Sequence, residues 1–173
     1  MKASSRLAMA AGALALAGFA AGDAALPTVY GSMKHVVAPQ MQLVWDLTNA
    51  ALDDEGAVDS AQLQPEAWAG LAEAARRLND EAQALAAAAP LSVAAPGETI
   101  QDEAVDGGVA AAQVQARIDA DPQAFAAESR AFAETAALFA AAAEARDPAA
   151  LNEQLGRLNE GCESCHQKFW YPQ

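Results

Sequence analysis

Residues 147–173 read DPAALNEQLGRLNEGCESCHQKFWYPQ. Asp147 followed by Pro148 is a helix start. The carboxylate can accept from the free N–H groups of a first turn, and proline's fixed φ and missing N–H suit that turn. From there Leu151, Leu155, Leu158, Cys162, Cys165 and Phe169 advance by four and three, which keeps them on one face of an α-helix. Both cysteines therefore lie on the stripe that this helix turns toward a core. Such a stripe needs partners to cover it, and the rest of the chain supplies them.

Asp121-Pro122 repeats the same start signal. Ile118, Phe125, Phe132 and Phe139 follow one another at intervals of seven, so a helix runs through this region and segment 109–120 is a candidate separate short helix. Another helix spans about Gln64 to Ala89, with Pro65 in its first turn and Pro90 ending it. Its residues Trp68, Leu71, Ala75, Leu78, Ala82, Leu85 and Ala89 alternate steps of three and four, the narrow seam of a helix packed lengthwise against neighbours. A further helix begins after Pro27 and runs to about Ala51, with Val29, Met33, Val36, Val37, Val44 and Leu47 as its buried face. Pro39 lies inside it and predicts a kink or short break. The stretch from Pro90 to Gly108 lacks sustained periodicity and reads as a long loop, a crossover without a role of its own. Alanine-rich composition with few β-branched residues agrees with an all-α chain. The expected fold is an antiparallel four-helix bundle.

Within the last helix, Cys162-Glu163-Ser164-Cys165-His166 contains both cysteines of the chain. A C-x-x-C-H run is the attachment signature of c-type haem. Two thiols one turn apart can add to the two vinyl groups of one porphyrin, and the adjacent imidazole then lies beneath the iron as proximal ligand. Three other readings of the pair exist. A structural disulfide is one. A thioredoxin-like redox pair is another, although no β-rich run precedes the motif. A zinc site needs about four ligands, whereas the whole chain offers two Cys and two His.

Lys2 and Arg6 precede an apolar stretch from Leu7 to Ala21, and small residues offer cleavage points between Ala20 and Ala25. This is the form of a secretory signal peptide, residues 1–22. The apolar stretch falls short of the roughly 20 residues needed to span a bilayer, so a cleaved signal is favoured over an anchor. The remainder, residues 26–173, suits one domain with a hydrophobic core. The chain carries 10 basic and 23 acidic residues. Removing Lys2 and Arg6 leaves 8 against 23, a net charge of −15 in place of −13. That surface argues against nucleic acid and anionic membrane as partners and favours either a basic docking partner or simple solubility.

An exported helical chain with one C-x-x-C-H near the end of its last helix resembles the class II c-type cytochromes, the cytochrome c′ family. Cys162, Cys165, His166 and Phe169 carry the resemblance, with the pair Met33-Lys34 in the first helix. It implies one covalent haem c held between helices, His166 as proximal iron ligand, a periplasmic location and redox partner proteins, with no bond-making catalysis. It also implies two kinds of member. Some fill the distal face of iron with a methionine from the first helix and carry electrons, and Met33 aligns best with that position. Others leave it empty behind an apolar side chain and bind NO or CO. Met41 and His35 are the competing distal candidates, although His35 points about 200° round a regular helix from Met33. Homodimers are common in the family. The family often places a basic residue beside a haem propionate where this chain has Trp170, which leaves Lys168 as the nearby cation. Trp45 and Trp68 read as packing residues.

Overall fold

The computed structural model describes residues 28–171. The expected signal peptide, residues 1–22 with its cleavage points up to Ala25, lies outside the described residues. Among the described residues five helical rods are present rather than the four expected. They are α1 (residues 29–49), α2 (Pro65–Ala87), α3 (Ala111–Ala120), α4 (Pro122–Ala145) and α5 (Pro148–Phe169). The extra rod is the separate short helix flagged by Asp121-Pro122. It spans 10 residues, against 22 to 24 for α2, α4 and α5.

The predicted caps form. Asp121 accepts from the Ala124 N–H at 2.9 Å and Asp147 from the Ala150 N–H at 3.1 Å. Arg146 turns the chain between α4 and α5 with φ 52°, in the left-handed region. Cross-links between helices show that neighbours run antiparallel. Asn79 donates to the Ala133 carbonyl while Arg76 pairs with Glu144 further along α4. Ser164 bonds Glu128 while Gly161 sits against Phe132, which fixes α5 against α4 in the same sense. Packing runs in a chain from α1 to α2, α2 to α4 and α4 to α5.

Pro39 does not break α1. The preceding turn widens instead into a π turn over Met33–Val37, closed by the Ala38 N–H on the Met33 carbonyl. Proline lacks the N–H that a regular turn would need and its ring crowds the preceding carbonyl, so a wider turn upstream accommodates it without ending the helix. The π turn also changes which residues share a face. At 3.6 residues per turn, steps of four drift by about 40° each. One wider turn offsets part of that drift, and Val29, Met33, Val37, Met41 and Trp45 all face one cavity.

Two apolar clusters fill the interior. One lies at the bundle centre and includes Val44, Leu71, Leu78, Phe139, Leu151 and Leu158, all fully buried. The other gathers Leu85, Val93, Ile100, Val114, Ile118, Phe125 and Phe169. Val93 and Ile100 come from the segment between α2 and α3, which corrects the reading of that segment as a crossover without a role. Its main chain is tied to the start of α1 by Val29 N–H on Ser92 O and Tyr30 N–H on Val93 O, both at 2.9 Å. Gln115 of α3 holds it from the other side, accepting from the Val93 N–H at 2.8 Å and donating to Leu91 O at 3.1 Å. α2 ends at Ala87, so Ala89, the last residue of the predicted seam, is exposed beyond it.

Candidate functional site

A cavity of about 350 Å³ opens between α1 and α5, beside α3 and the α2–α3 segment. Its size falls within the roughly 300–1,000 Å³ usual for cofactor and ligand pockets. Its walls are largely apolar, with Val37, Val114, Ile118, Phe125 and Phe169 among them. Phe125 and Phe169, both in the lining, meet edge-on at 5.4 Å.

α5 contributes Cys165, His166, Phe169 and Trp170 to the lining. On a regular helix Cys162, Cys165 and His166 lie within an arc of about 100°. The two cysteines are free and half-buried. Cys162 packs against the bundle-centre cluster and Cys165 against the cavity cluster, so the pair straddles the junction of the two cores. Burial pushes the Cys162 thiol up to about 11. Burial, assisted by the Glu128 carboxylate and by Cys162, pushes Cys165 up to about 12, with Lys168 opposing. Both are therefore thiols, not thiolates, at neutral pH.

His166 is half-buried, and burial lowers its pKa from the usual value near 6.5, with the Glu163 carboxylate working the other way. The imidazole is thus neutral at pH 7, the form that can donate a lone pair to a metal. Trp170 stands edge-on to its ring at 5.1 Å and Tyr171 lies 5.8 Å away. The His166 carbonyl accepts from the N–H groups of both residues, at 2.8 and 2.9 Å.

From α1 the lining includes Met33 and Met41, the first half-buried and the second buried. His35 is exposed and is not among the lining residues. Lys34 lines the rim with its ammonium 5.4 Å from the centre of the Tyr30 ring. Lys168 is exposed, reaches Glu128 at 3.5 Å and is not part of the lining. Trp68 is core, whereas Trp45 reaches the cavity wall and bonds Asn159 of α5 at 3.0 Å through its indole N–H.

No signal in the sequence singled out Arg117. It lies on α3 and donates to the main-chain oxygens of Phe169 at 3.1 Å and Trp170 at 2.6 Å. Trp170, noted in the sequence as a departure, proves to be a wall of the cavity.

The model of the family described as cytochrome C′ matches residues 102–170. Over these residues the chain is similar to the cytochrome c′ family. The matched segment contains Cys162, Cys165, His166 and Arg117 but stops short of α1, so it does not reach Met33 or Met41. No curated protein and no solved structure matches the chain. Cytochrome c′ proteins are electron carriers, not enzymes, and are typically periplasmic. Family match and cysteine spacing together support a haem c site here.

The residues present fit that group. Two free thiols one turn apart and a neutral imidazole sit on one helix, a thioether faces the same cavity from another, and the lining is apolar. A cluster of three or more His, Cys, Asp or Glu side chains able to hold a metal ion by themselves is absent among the described residues.

Proposed function

We propose that this protein carries single electrons in the periplasm through one covalent haem c. Cys162 and Cys165 are its attachment points, His166 the proximal ligand and Met33 the distal ligand. When bound, the haem supplies a one-electron iron couple. The chain's part is to hold and shield it. His166 offers a neutral imidazole because burial disfavours its charged form. Met33 offers a sulfur, a ligand that tends to raise the potential of haem iron. The apolar walls would exclude water from the bound group.

The observation that carries this reading is the sharing of one apolar cavity by Cys165, His166 and Met33. The raised thiol pKa values weigh against the alternative of thiol–disulfide exchange, which works through the thiolate. Residues 1–22 act as a cleaved signal peptide in this reading, and residues 26–173 form the cytochrome domain, its four long helices acting as the bundle around the haem. Redox proteins with a basic docking face suit its strongly acidic surface. The homodimer rests on the family resemblance alone, and sedimentation of the holoprotein tests it.

Mass spectrometry and optical spectra of protein matured through its own export route test the proposal. Added haem mass and a ferric near-red band from sulfur–iron charge transfer are expected. Absence of haem mass overturns the attachment. A high-spin spectrum with rapid CO binding to the reduced protein removes Met33 as ligand and makes the protein a gas-binding cytochrome c′.

A further inference from the structure

The geometry points to Arg117 as a positioning residue for the proximal imidazole, acting through the terminal turn Phe169–Tyr171. This rests on the reading of His166 as the proximal ligand.

An α-helix leaves its last four carbonyls without intrahelical partners, and its C-terminus carries partial negative charge. In α5 that end lies immediately after His166. Arg117 places one guanidinium nitrogen, Nη1, between the carbonyls of Phe169 and Trp170, at 3.1 and 2.6 Å. The two contacts hold the backbone at the point where the helix stops. From the same turn the Trp170 indole stands edge-on to His166 at 5.1 Å with an interplanar angle of 85°. Tyr171 is held in turn by its hydroxyl on the Glu163 carboxylate at 3.2 Å. The imidazole thus packs against the Trp170 indole, whose position depends on a residue some fifty positions upstream.

α3 is well suited to this task. Val114 and Ile118 bury its inner face in the cavity cluster, and Gln115 clasps the α2–α3 segment. Arg117, half-buried beside them, therefore projects from an anchored helix. Lys168, next to the turn in sequence, is engaged with Glu128 and does not share the work. An arginine suits the position because its guanidinium stays charged and its planar donors are held in a fixed fork.

The test compares holoprotein carrying Arg117→Gln, Arg117→Lys and Trp170→Leu with the parent. Three readouts are taken: the electron paramagnetic resonance spectrum of the ferric haem, the reduction potential, and amide hydrogen exchange at Trp170 and Tyr171. Arg117→Gln is expected to speed exchange of those amides at least tenfold, and to broaden or displace the g-values and shift the potential. Arg117→Lys should keep most of the parent's exchange rates and spectrum, and Trp170→Leu should reproduce the spectral change alone. Faster exchange with unchanged g-values and potential would mean that Arg117 only caps a helix, and the proposal fails. Unchanged g-values in Trp170→Leu would also defeat it. If Arg117→Gln yields no holoprotein, Trp170→Leu decides alone by that same criterion. A parent without covalent haem defeats the earlier reading instead, and mass spectrometry separates the two failures.

Discussion

Phe139→Ala should be among the most damaging single substitutions in this protein while leaving its cavity untouched. Phe139 has no exposed surface and sits in the bundle-centre cluster with Leu71, Leu78, Leu151 and Leu158. It does not line the cavity. Truncating a buried phenylalanine removes its transfer free energy and leaves a void that packed helices only partly close, a loss of about 3–5 kcal/mol. A domain of this size is stable by only about 5–15 kcal/mol. At about 2–4 °C per kcal/mol, the melting temperature should fall by roughly 6–20 °C. Leu138, its immediate neighbour in sequence, is 55% exposed. Leu138→Ala should change stability by less than about 0.5 kcal/mol. The assay is thermal and urea unfolding of the holoprotein followed by far-UV circular dichroism, with visible spectra recorded before heating. A loss under about 1 kcal/mol for Phe139→Ala, by reference to the same range, would refute the packing argument. So would an altered visible spectrum in the folded variant, because it would place Phe139 at the haem.

Other expectations follow from the same structure. Met33→Ala should convert a low-spin ferric spectrum to high spin and open the reduced protein to CO, whereas His35→Ala, at an exposed position, should leave both unchanged; visible spectroscopy decides. Asp147→Ala and Asp121→Ala each remove a side-chain cap and should cost about 1 kcal/mol in urea unfolding, and no loss in either would show that the caps are redundant. In haem-free chain with reduced thiols, both cysteines have folded-state pKa values raised from 9.0, to about 11 and about 12. A raised thiol pKa means that the folded state holds its proton longer than the unfolded chain does. The stabilisation is complete below pH 9 and is lost as pH climbs through about 11 to 12. Alkylation by iodoacetamide should accordingly be slow at pH 8 and keep rising above pH 10, and a plateau below pH 9 would contradict the burial argument.

The helices were legible because their signals are local. Asp-Pro pairs at 121–122 and 147–148 start α4 and α5, and the steps of three and four in α2 mark the face that buries Leu71, Leu78 and Leu85. The five-residue motif at 162–166 was equally local. The fate of Pro39 was not, because a proline within a helix can produce a kink, a break or a wider turn, and neighbouring packing selects among them. Val93 and Ile100 were invisible as core residues because irregular chain has no period to reveal a buried face. Arg117 could not be found at all, since its partners are main-chain oxygens, which every residue possesses.

By itself the sequence determined that this chain is helical, where most helices begin, and that two cysteines and a histidine share one helical face. Each of these follows from interactions spanning four residues or fewer, or from chemistry within one short motif. Tertiary structure decided that Met33 and Met41 line the same cavity as His166 while His35 stays outside. It also decided that the α2–α3 segment closes the cavity and that Arg117 secures the turn after His166. Those outcomes depend on contacts between residues dozens of positions apart, and their energies exist only once the helices have packed.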